Sequence, residues 1–489
     1  MNSDQATERK VNGRGGRTRR AVLRDALGTL AVTLAAGKAF AQTPSPAPNI
    51  IFIMADDLGY ADLSCYGRPD ISTPHLDGLA GKGVRFLQAY ANSPVCSATR
   101  TALMTGRYQY RLRIGLEEPL LANREDLGLP ADHPTLPSLL RKAGYATMLI
   151  GKWHLGVLPK FGPLQSGYEH FFGFRGGVVD YYTHAGNNKK EDLWDDDTPV
   201  REVGYLTELL GNRAVNAING YAKSKKPFLL SLHFSAPHWP WEAPGDEAES
   251  DRLRAASLFH FDGGTQATYR RMVEAMDAEV GRVLKALDAN GLAQNTIVVF
   301  TSDNGGERFS NTWPFTGRKT ELLEGGVRIP AIVSWPARIP QGQTTEQVAM
   351  TMDWLPTLLA AAGTKPDPAF LPDGLNLLPL LAPGAAASPR KVFWRYKTNA
   401  QRAFRDGDFK YLKLLDKTFL FNVVDDPMER ANLKDRRKAV FERMQAEWRA
   451  WNKGMLPQVA DSYTENFTAD QLADHIASPK ASGDVDTAD

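Results

Sequence analysis

Four apolar runs of strand length, each followed by polar residues, constrain the fold of this 489-residue chain more than any other feature. Continuous apolar runs are typical of strands that are buried on both faces. Helical patterns such as Leu136–Ala143 and Tyr269–Leu287 separate the runs. Strands that alternate with helices predict an α/β fold, in which helices cover both faces of a large, mostly parallel central sheet. The four runs are Asn49–Met54, Ala146–Ile150, Phe228–Phe234 and Thr296–Thr301.

Side chains able to do chemistry follow each of these runs. In chain order they are Asp56 and Asp57, Lys152 and His154, His238, and Asp303 with Asn304. In parallel sheets, ligands bind at the carboxyl ends of the strands. We therefore predict that four segments far apart in sequence bring their polar ends to one crevice.

The acidic pairs in this set predict a metal site. Asp56-Asp57 and Asp303-Asn304 offer hard oxygen ligands, which suit Ca²⁺ or Mg²⁺, whereas zinc prefers His or Cys. Taken separately, either pair could instead cap a following segment or form a turn. Carboxylates crowded at one sheet edge repel each other unless a cation or a proton intervenes. Together, the pairs therefore favour a divalent cation.

Four basic side chains are predicted near the same crevice, namely Lys152, His154, His238 and Lys319. Positive charge beside a metal attracts an anionic group and stabilises charge that develops on it. The cluster therefore favours a sulfate or phosphate ester as the substrate class.

Cys96 is predicted to lie near the N-terminus of a helix, because Pro94 precedes it and helix formers follow it. The helix dipole favours an anion or a thiolate at such a position. Arg100 falls on the same face one turn later. The residues alone leave two hypotheses open for Cys96, a thiolate nucleophile or a buried core cysteine. We expect Cys65 to be a core residue.

The pattern changes from about residue 390 to short runs separated by turn signals such as Asp406-Gly407. We predict a smaller C-terminal α+β subdomain over 388–476, with a four-stranded antiparallel sheet and a helix over about 437–451. The larger domain is predicted over 47–385, and a loose polar tail over 477–489. The predicted strands are Lys391–Trp394, Gln401–Arg405, Phe409–Leu414 and Thr418–Asn422.

Residues 1–41 differ in composition from the rest of the chain. Arg19-Arg20 fits a twin-arginine export motif, and Ala39-Phe40-Ala41 supplies an A-x-A cleavage site. The alternatives are a basic arm on a membrane surface or a single anchor helix, but an anchor needs about 20 apolar residues and this run is shorter. We therefore predict a cleaved bacterial signal peptide, a periplasmic or secreted location, and the export machinery as a partner.

Composition excludes several other classes of protein. Lys and Arg number 58 against 56 Asp and Glu, so the basic excess of nucleic-acid-binding proteins is absent from the sequence. Two cysteines cannot form a disulfide framework. No run after residue 41 is apolar enough to span a bilayer, so we predict neither a nucleic-acid partner nor stable membrane insertion.

Short motifs lie in order along most of the chain after residue 41. Cys96-Ser97-Ala98-Thr99-Arg100 resembles the C-x-P/A-x-R signature of the sulfatase family, with Ala98 where proline is commoner. The other motifs that resemble family segments are Asn49–Tyr60, Thr105–Tyr108, Gly151–Gly156, Ala236–His238, Ser302–Gly306, Gly317–Lys319, Glu324–Pro330 and Phe404–Tyr411. Each motif alone is weak, whereas all of them in one order are specific.

The resemblance implies an alkaline-phosphatase-like three-layer sandwich, with 47–385 as the sulfatase catalytic domain. It implies that Cys96 is oxidised to formylglycine after translation, by a formylglycine-generating or sulfatase-maturating enzyme. It also implies one bound Ca²⁺, whose ligands are Asp56, Asp57, Asp303, Asn304 and the modified Cys96.

The chemistry that the resemblance implies is covalent catalysis by hydrated formylglycine, which attacks sulfur and releases the alcohol. By analogy, His154 helps to remove a proton from the second hydroxyl, so that sulfate is expelled. Arg100 and Lys152 hold the nucleophile, while His238 and Lys319 bind sulfate oxygens and supply the leaving-group proton.

We therefore predict a sulfuric ester hydrolase that acts on a sulfated carbohydrate or aryl compound, either a small molecule or a glycan. Two alternatives remain open: a phosphonate monoester or phosphodiester hydrolase on the same scaffold, and an inactive sulfated-glycan-binding protein. Arg308 or His184 could contact a substrate carboxylate or hydroxyl. Aromatic residues near the motifs could stack on a sugar ring or pack under loops; they are Trp239, Trp241, Trp313, Tyr181 and Tyr182.

Overall fold

A ten-stranded sheet and a separate four-stranded sheet organise the computed structural model, which describes residues 46–121 and 124–467. The predicted signal peptide (1–41) and tail (477–489) lie outside these residues. Within the described ranges, no helix combines the length and the apolar character that crossing a bilayer requires.

The strands are β1 (Asn49–Ala55), β2 (Val84–Phe86), β3 (Ala89–Tyr90), β4 (Ala146–Lys152), β5 (His170–Phe174), β6 (Trp194–Asp195), β7 (Thr198–Pro199), β8 (Phe228–His233), β9 (Thr296–Ser302), β10 (Ala331–Ser334), β11 (Gln343–Thr345), β12 (Ala349–Met350), β13 (Lys391–Tyr396), β14 (Gln401–Asp406), β15 (Phe409–Leu414) and β16 (Lys417–Asn422). The α-helices are α1 (Pro74–Gly81), α2 (Cys96–Thr105), α3 (Leu136–Lys142), α4 (Leu206–Ser224), α5 (Glu247–Leu253), α6 (Gln266–Ala289), α7 (Glu324–Val327), α8 (Trp354–Ala361) and α9 (Lys438–Asn452). Short 3-10 turns occupy Ser64–Tyr66, Gln109–Arg111, Arg113–Leu116, Ala293–Asn295, Thr351–Asp353, Leu378–Leu381 and Thr398–Ala400.

The centre of the large sheet is a run of five parallel strands in the order β9-β1-β8-β4-β5. Antiparallel β10 joins beside β9, and β2 and β11 follow it, while β6 and β7 extend the other edge. The register sets Ala55 opposite Ser302, and both Met54 and Gly151 opposite His233. The polar residues that follow these strands therefore leave the sheet at the same edge.

Both faces of the sheet are buried, because alternate residues of β1 belong to different hydrophobic cores. Ile51 and Ile53 pack in the core that includes α4 and α6, whereas Ile50 and Phe52 pack with α2, α3 and α8. Helix α6 begins after Thr265, whose side chain accepts a hydrogen bond from the backbone of its third helical residue. Its predicted apolar stripe is buried; the stripe is Met272, Met276, Val280, Val283 and Leu287. The predicted α/β class with a covered, mostly parallel sheet is confirmed.

The C-terminal sheet is an antiparallel meander in the order β13-β14-β15-β16, as predicted. One face packs on α9 through Phe404, Tyr411 and Trp448. The other face, which includes Trp394, packs against Tyr90 and against residues of α2. The meander therefore supports the helix that begins at Cys96.

A buried polar network also connects this sheet to the segment that begins α7. Lys410, on β15, is fully buried and lies 3.0 Å from Glu324 and 2.9 Å from Glu429. Burial opposes ionisation of Glu324, but Lys410 and Arg328 outweigh it and lower its pKa to about 2. The network therefore holds a charged carboxylate in the interior, five residues after Lys319.

We expect Lys410→Met to lower the free energy of unfolding by about 3–5 kcal/mol, because it leaves Glu324 charged and buried without its lysine partner. Lys417→Met, at an exposed position on the next strand, is the matched control and should change it by less than about 0.5 kcal/mol. Denaturant unfolding of both variants measures the difference. Equal stability of the two variants would contradict the role given to the network.

Candidate active site

The side chains predicted to converge do so at the carboxyl edge of the large sheet. Asp56 and Asp57 follow β1, Lys152 ends β4, and Asp303 and Asn304 follow β9. His154 and His238 lie on the loops after β4 and β8, while Cys96 and Arg100 come from the first turns of α2. Lys319 lies on the loop before α7 and reaches the same cluster.

Three carboxylates and one amide form the floor of the site, and all four side chains are essentially buried. The backbone N–H of Asp57 donates to Asp303 Oδ1 at 3.2 Å. The amide nitrogen of Asn304 donates to Asp57 Oδ1 at 2.7 Å. These bonds fix the two acidic pairs against each other across neighbouring strands.

Each carboxylate has its own cationic partner. Lys152 Nζ donates to Asp56 Oδ2 at 2.6 Å, and Lys319 Nζ donates to Asp57 Oδ2 at 2.9 Å. Arg100 donates to Asp303 Oδ2 from both Nε (3.1 Å) and Nη2 (2.8 Å). Burial opposes the charge of Arg100, but Asp303 and Asp56 outweigh it and hold its pKa above the usual value.

Two oxygens of the floor are left without hydrogen-bond partners. Asp56 Oδ1 and Asn304 Oδ1 are both buried, and unpaired buried acceptors are costly. Burial and the nearby charge of Asp303 raise the pKa of Asp56 well above its usual value. One ligand atom each from Asp56, Cys96 and Asp303 lies within 4.8 Å of the others. The carboxylate and amide oxygens of this floor, two of them unpaired, fit a hard divalent cation.

Cys96 is the first residue of α2, as predicted, and it is buried with its Sγ 3.3 Å from His154 Nδ1. Burial raises the pKa of its thiol to about 11, although Lys152 and Lys319 act in the opposite direction. The unmodified side chain is therefore a protonated thiol at neutral pH. Burial and this raised pKa favour the buried-cysteine hypothesis for the unmodified side chain over the thiolate hypothesis.

The surroundings of His154 assign its tautomer. Its Nε2 lies 2.8 Å from the carbonyl oxygen of Leu120, which can only accept, so Nε2 carries the proton. Its Nδ1 then presents a lone pair to residue 96. Burial and Lys152 lower the pKa of His154 well below its usual value, which keeps the ring neutral. The Ser97 hydroxyl accepts from the backbone N–H of Leu120 at 2.7 Å, so α2 also holds this loop.

The same reasoning assigns His238, whose Nδ1 lies 2.5 Å from the carbonyl oxygen of Trp239. Its Nε2 lone pair faces Lys319 Nζ at 3.4 Å. Burial and Lys319 lower the pKa of His238 well below its usual value. Burial opposes the charge of Lys319, but Asp57 outweighs it and raises the lysine pKa well above its usual value. The pair therefore consists of an ammonium donor and a neutral imidazole acceptor.

Two of the converging residues have left-handed backbone conformations. Asp57 has φ 61° and His154 has φ 59°, although neither is a glycine. Such conformations cost about 1–3 kcal/mol each and persist where the surrounding structure over-determines them. Their occurrence within the converging set indicates that the fold fixes these side chains in place.

A cavity of about 620 Å³ opens onto these groups. Cys96, His154, His238 and Lys319 lie at one end of it, and the loop 186–192 lies along its wall. A volume of this size fits a sugar or aryl ligand.

Several residues in the site were not singled out by the sequence pattern. His233, the last residue of β8, lies 3.4 Å from Arg100 Nη1, and burial lowers its pKa to about 3. Glu465, far beyond the motifs, lines the cavity. For His233 a signal existed, because it ends a strand as Lys152 does; for Glu465 the sequence carries none.

The predicted aromatic candidates divide into two groups. Trp239 lines the cavity, whereas Trp241 and Tyr181 are core residues. Tyr182 donates to the carbonyl oxygen of Ala243. Trp241, Tyr181 and Tyr182 therefore pack under loops. The side chain of Trp313 is 64% exposed and is not among the described residues that line the cavity.

The two polar candidates for substrate contact lie elsewhere. His184 is buried, and Arg308 donates to the carbonyl oxygen of His260 and lies over the ring of Trp241. Neither is among the described residues that line the cavity. That either residue contacts a substrate stays a prediction.

Comparison with known proteins agrees with this site. The sequence model of the family named Sulfatase matches residues 48–364, and that of the C-terminal part of N-sulphoglucosamine sulphohydrolase matches residues 317–452. The chain belongs to the sulfatase family. Members of this family are sulfuric ester hydrolases, and their fold is of the alkaline phosphatase type, as predicted.

Relatives support the assignment over most of the chain. N-acetylgalactosamine-6-sulfatase of Rattus norvegicus is 34% identical over 406 residues, which are 78% of this chain and 74% of the relative. Arylsulfatase A of Homo sapiens is 33% identical over 411 residues, 78% of this chain and 77% of the relative. The crystal structure of Ps i-CgsB in complex with k-i-k-neocarrahexaose superimposes with a TM-score of 0.76 at 31% identity, covering 89% of this chain and 98% of that one.

The environment of Cys96 predicts an unreactive thiol. A pKa of about 11 leaves roughly 100-fold less thiolate at neutral pH than an ordinary cysteine has, and burial adds to this protection. We expect alkylation by iodoacetamide to be at least about 100-fold slower in the folded, unmodified protein than in guanidinium. The Cys65→Ser variant isolates this thiol, and alkylation at the rate of an exposed cysteine would contradict the burial described.

Proposed function

We propose that this sulfatase hydrolyses a sulfate ester of a carbohydrate, through formylglycine at position 96 and one bound Ca²⁺. The observation that carries the proposal is the pair of unpaired buried oxygens, Asp56 Oδ1 and Asn304 Oδ1, beside Cys96. A merely structural ion-pair network would satisfy these acceptors. A cation bound there, beside an oxygen-bearing residue 96, would satisfy both oxygens.

The proposed ligands of Ca²⁺ are Asp56, Asp57, Asp303, Asn304 and residue 96. Bound there, the cation would supply positive charge that holds and polarises a sulfate oxygen. Arg100 and Lys152 orient Asp303 and Asp56, because each donates a hydrogen bond to the Oδ2 atom of its carboxylate.

The formylglycine hydrate would supply two hydroxyls, one as nucleophile and one whose deprotonation expels sulfate. His154 is placed for the second task, since its Nδ1 lone pair faces residue 96 at 3.3 Å from Sγ. Its Nε2–H stays on the Leu120 carbonyl, so the ring accepts at one nitrogen only. A neutral imidazole in this position acts as a general base.

Lys319 and His238 are the proposed pair on the leaving-group side. Lys319 Nζ keeps donors beyond those used by Asp57, and it lies 3.4 Å from His238 Nε2. A proton can be passed between the two groups and delivered to the departing oxygen. Both side chains border the cavity, where they can also donate to sulfate oxygens.

The carbohydrate part of the proposal rests on the cavity and on relatives. Trp239 and the polar loop 186–192 line a space of about 620 Å³. One relative is named N-acetylgalactosamine-6-sulfatase, and the matched crystal structure is a complex with k-i-k-neocarrahexaose. We extend that substrate class to this chain.

The organisation into a catalytic domain (47–385) and a C-terminal subdomain (388–476) is part of the same proposal. Export through the twin-arginine-type segment to the periplasm or medium, and maturation by a formylglycine-generating or sulfatase-maturating enzyme, complete it. Cys96 is buried in the folded chain, so maturation has to reach this segment before it is packed.

Peptide mass spectrometry tests the modification. We expect the peptide that contains residue 96 to carry the aldehyde in protein made in a host with a maturation enzyme, and the thiol in a host without one. Hydrolysis of 4-nitrophenyl sulfate should follow the aldehyde fraction. Full activity of the protein with only the thiol form would overturn the formylglycine mechanism.

Thermal or chemical unfolding tests the metal site without an activity assay. Ca²⁺ at about 100 times its Kd should add about 2.7 kcal/mol to the free energy of unfolding. We expect Asp303→Ala to lose this increment, and Asn304→Ala, which removes no charge, to reduce it. Asp416→Asn, at an exposed carboxylate, is the control. An increment retained in both site variants would refute the ligand assignment.

A further inference from the structure

The segment after α9 returns to the cavity and supplies two residues to its lining, Tyr463 and Glu465. Both lie beyond residue 452, where the match to the family models ends. At its far end, the ring of Phe467 stacks on Phe259 at 5.3 Å between centroids. The family signature therefore assigns no role to this stretch.

The backbone of Glu465 is held by the same loop that holds His154. Its N–H donates to the carbonyl oxygen of Glu118 at 2.6 Å, and Tyr396 donates to its carbonyl oxygen at 2.8 Å. Two residues after Glu118, the Leu120 carbonyl accepts from His154. Glu465 thus has a defined position relative to the reacting end of the cavity, as a recognition residue requires.

The carboxylate itself has unused capacity. Glu465 Oε2 lies 4.0 Å from Lys319 Nζ, which is too long for a hydrogen bond, and it has no other partner. Burial raises the pKa of Glu465, while Lys319 acts in the opposite direction. A buried acceptor without a donor destabilises the site, and a ligand donor can remove that cost.

Resting on the sulfatase activity proposed above, we infer that Glu465 is a specificity-determining residue that accepts a hydrogen bond from a hydroxyl of the sulfated sugar. Lys319 borders the ester group in that proposal, and Glu465 lies beside Lys319 on the cavity side. The hydroxyl it reaches is therefore one close to the ester, on the same sugar ring.

The same carboxylate disfavours the binding of other sulfate esters. A uronic-acid carboxylate or a second sulfate at that position would face Glu465 with like charge and no donor, which disfavours binding. An aryl sulfate offers no hydroxyl there and leaves the acceptor unpaired. The structure thus favours a sugar that carries a free hydroxyl next to its sulfate over an aryl sulfate.

A different role for Glu465 would be to position Lys319. That role would affect every sulfate ester alike, because all of them use the same reacting end of the cavity. Recognition of a hydroxyl affects only the substrates that carry it. The ratio of kcat/KM for a sugar sulfate to kcat/KM for 4-nitrophenyl sulfate separates the two roles.

The experiment uses full-length, formylglycine-containing enzyme and three variants, Glu465→Ala, Glu465→Gln and Asp461→Asn. The substrates are 4-nitrophenyl sulfate and the 3-, 4- and 6-monosulfates of galactose, N-acetylgalactosamine and N-acetylglucosamine. We expect the ratio for the best sugar sulfate to fall about 100-fold in Glu465→Ala, since sites built to bind a hydroxyl discriminate strongly. Glu465→Gln keeps one acceptor oxygen and should recover part of the loss.

Asp461→Asn removes a negative charge from the same segment at a side chain that is 77% exposed, and it should leave the ratio unchanged. Circular dichroism checks that each variant folds; if Glu465→Ala does not, a fall of about 10-fold in Glu465→Gln carries the test.

An equal fall on both substrate types, or no fall in the ratio, overturns the inference. Wild-type enzyme that hydrolyses 4-nitrophenyl sulfate but none of the sugar sulfates overturns it too, while sparing the proposed sulfatase activity. Wild-type enzyme that hydrolyses no sulfate ester refutes the proposed function itself.

Discussion

Three carboxylates buried together at one sheet edge are the constraint on which the rest of this structure depends. Removing charges from water costs several kcal/mol per ion, so a cluster like Asp56, Asp57 and Asp303 needs compensating partners in the interior. The chain supplies one cation to each, and these cations come from β4, from α2 and from the loop before α7. Electrostatic compensation thus adds to the hydrophobic cores in connecting these elements.

This dependence gives the C-terminal meander a part in the chemistry. Its outer face packs on α9, but its inner face supports α2 and its Lys410 reaches Glu324, near the loop of Lys319. The backbone N–H of Thr320 also donates to the carbonyl oxygen of Pro94, just ahead of Cys96. Two of the site's cations, Arg100 and Lys319, are therefore positioned with the help of the C-terminal meander, which contributes neither of them.

The sequence predicts the parallel sheet and the convergence of its polar ends. A continuous apolar run indicates a buried strand, and the aspartate that follows it marks the end of that strand where ligands bind. It also predicts the meander from its short runs and turn signals. The two-residue strands β6 and β7 escape prediction, since so short a run has no period to detect. Glu465 escapes for another reason. Its place in the cavity depends on hydrogen bonds to Glu118 and Tyr396, which are distant in sequence and leave no local pattern.

The hydrogen bonds around Leu120 connect the start of α2 to His154, which in turn contacts the start of α2. Ser97 accepts from the Leu120 N–H, the Leu120 carbonyl accepts from His154, and His154 faces residue 96, the neighbour of Ser97. A thermal displacement of the start of α2 therefore carries the imidazole along with it. Residue 96 and His154 therefore keep their separation together, even though 58 positions of chain divide them.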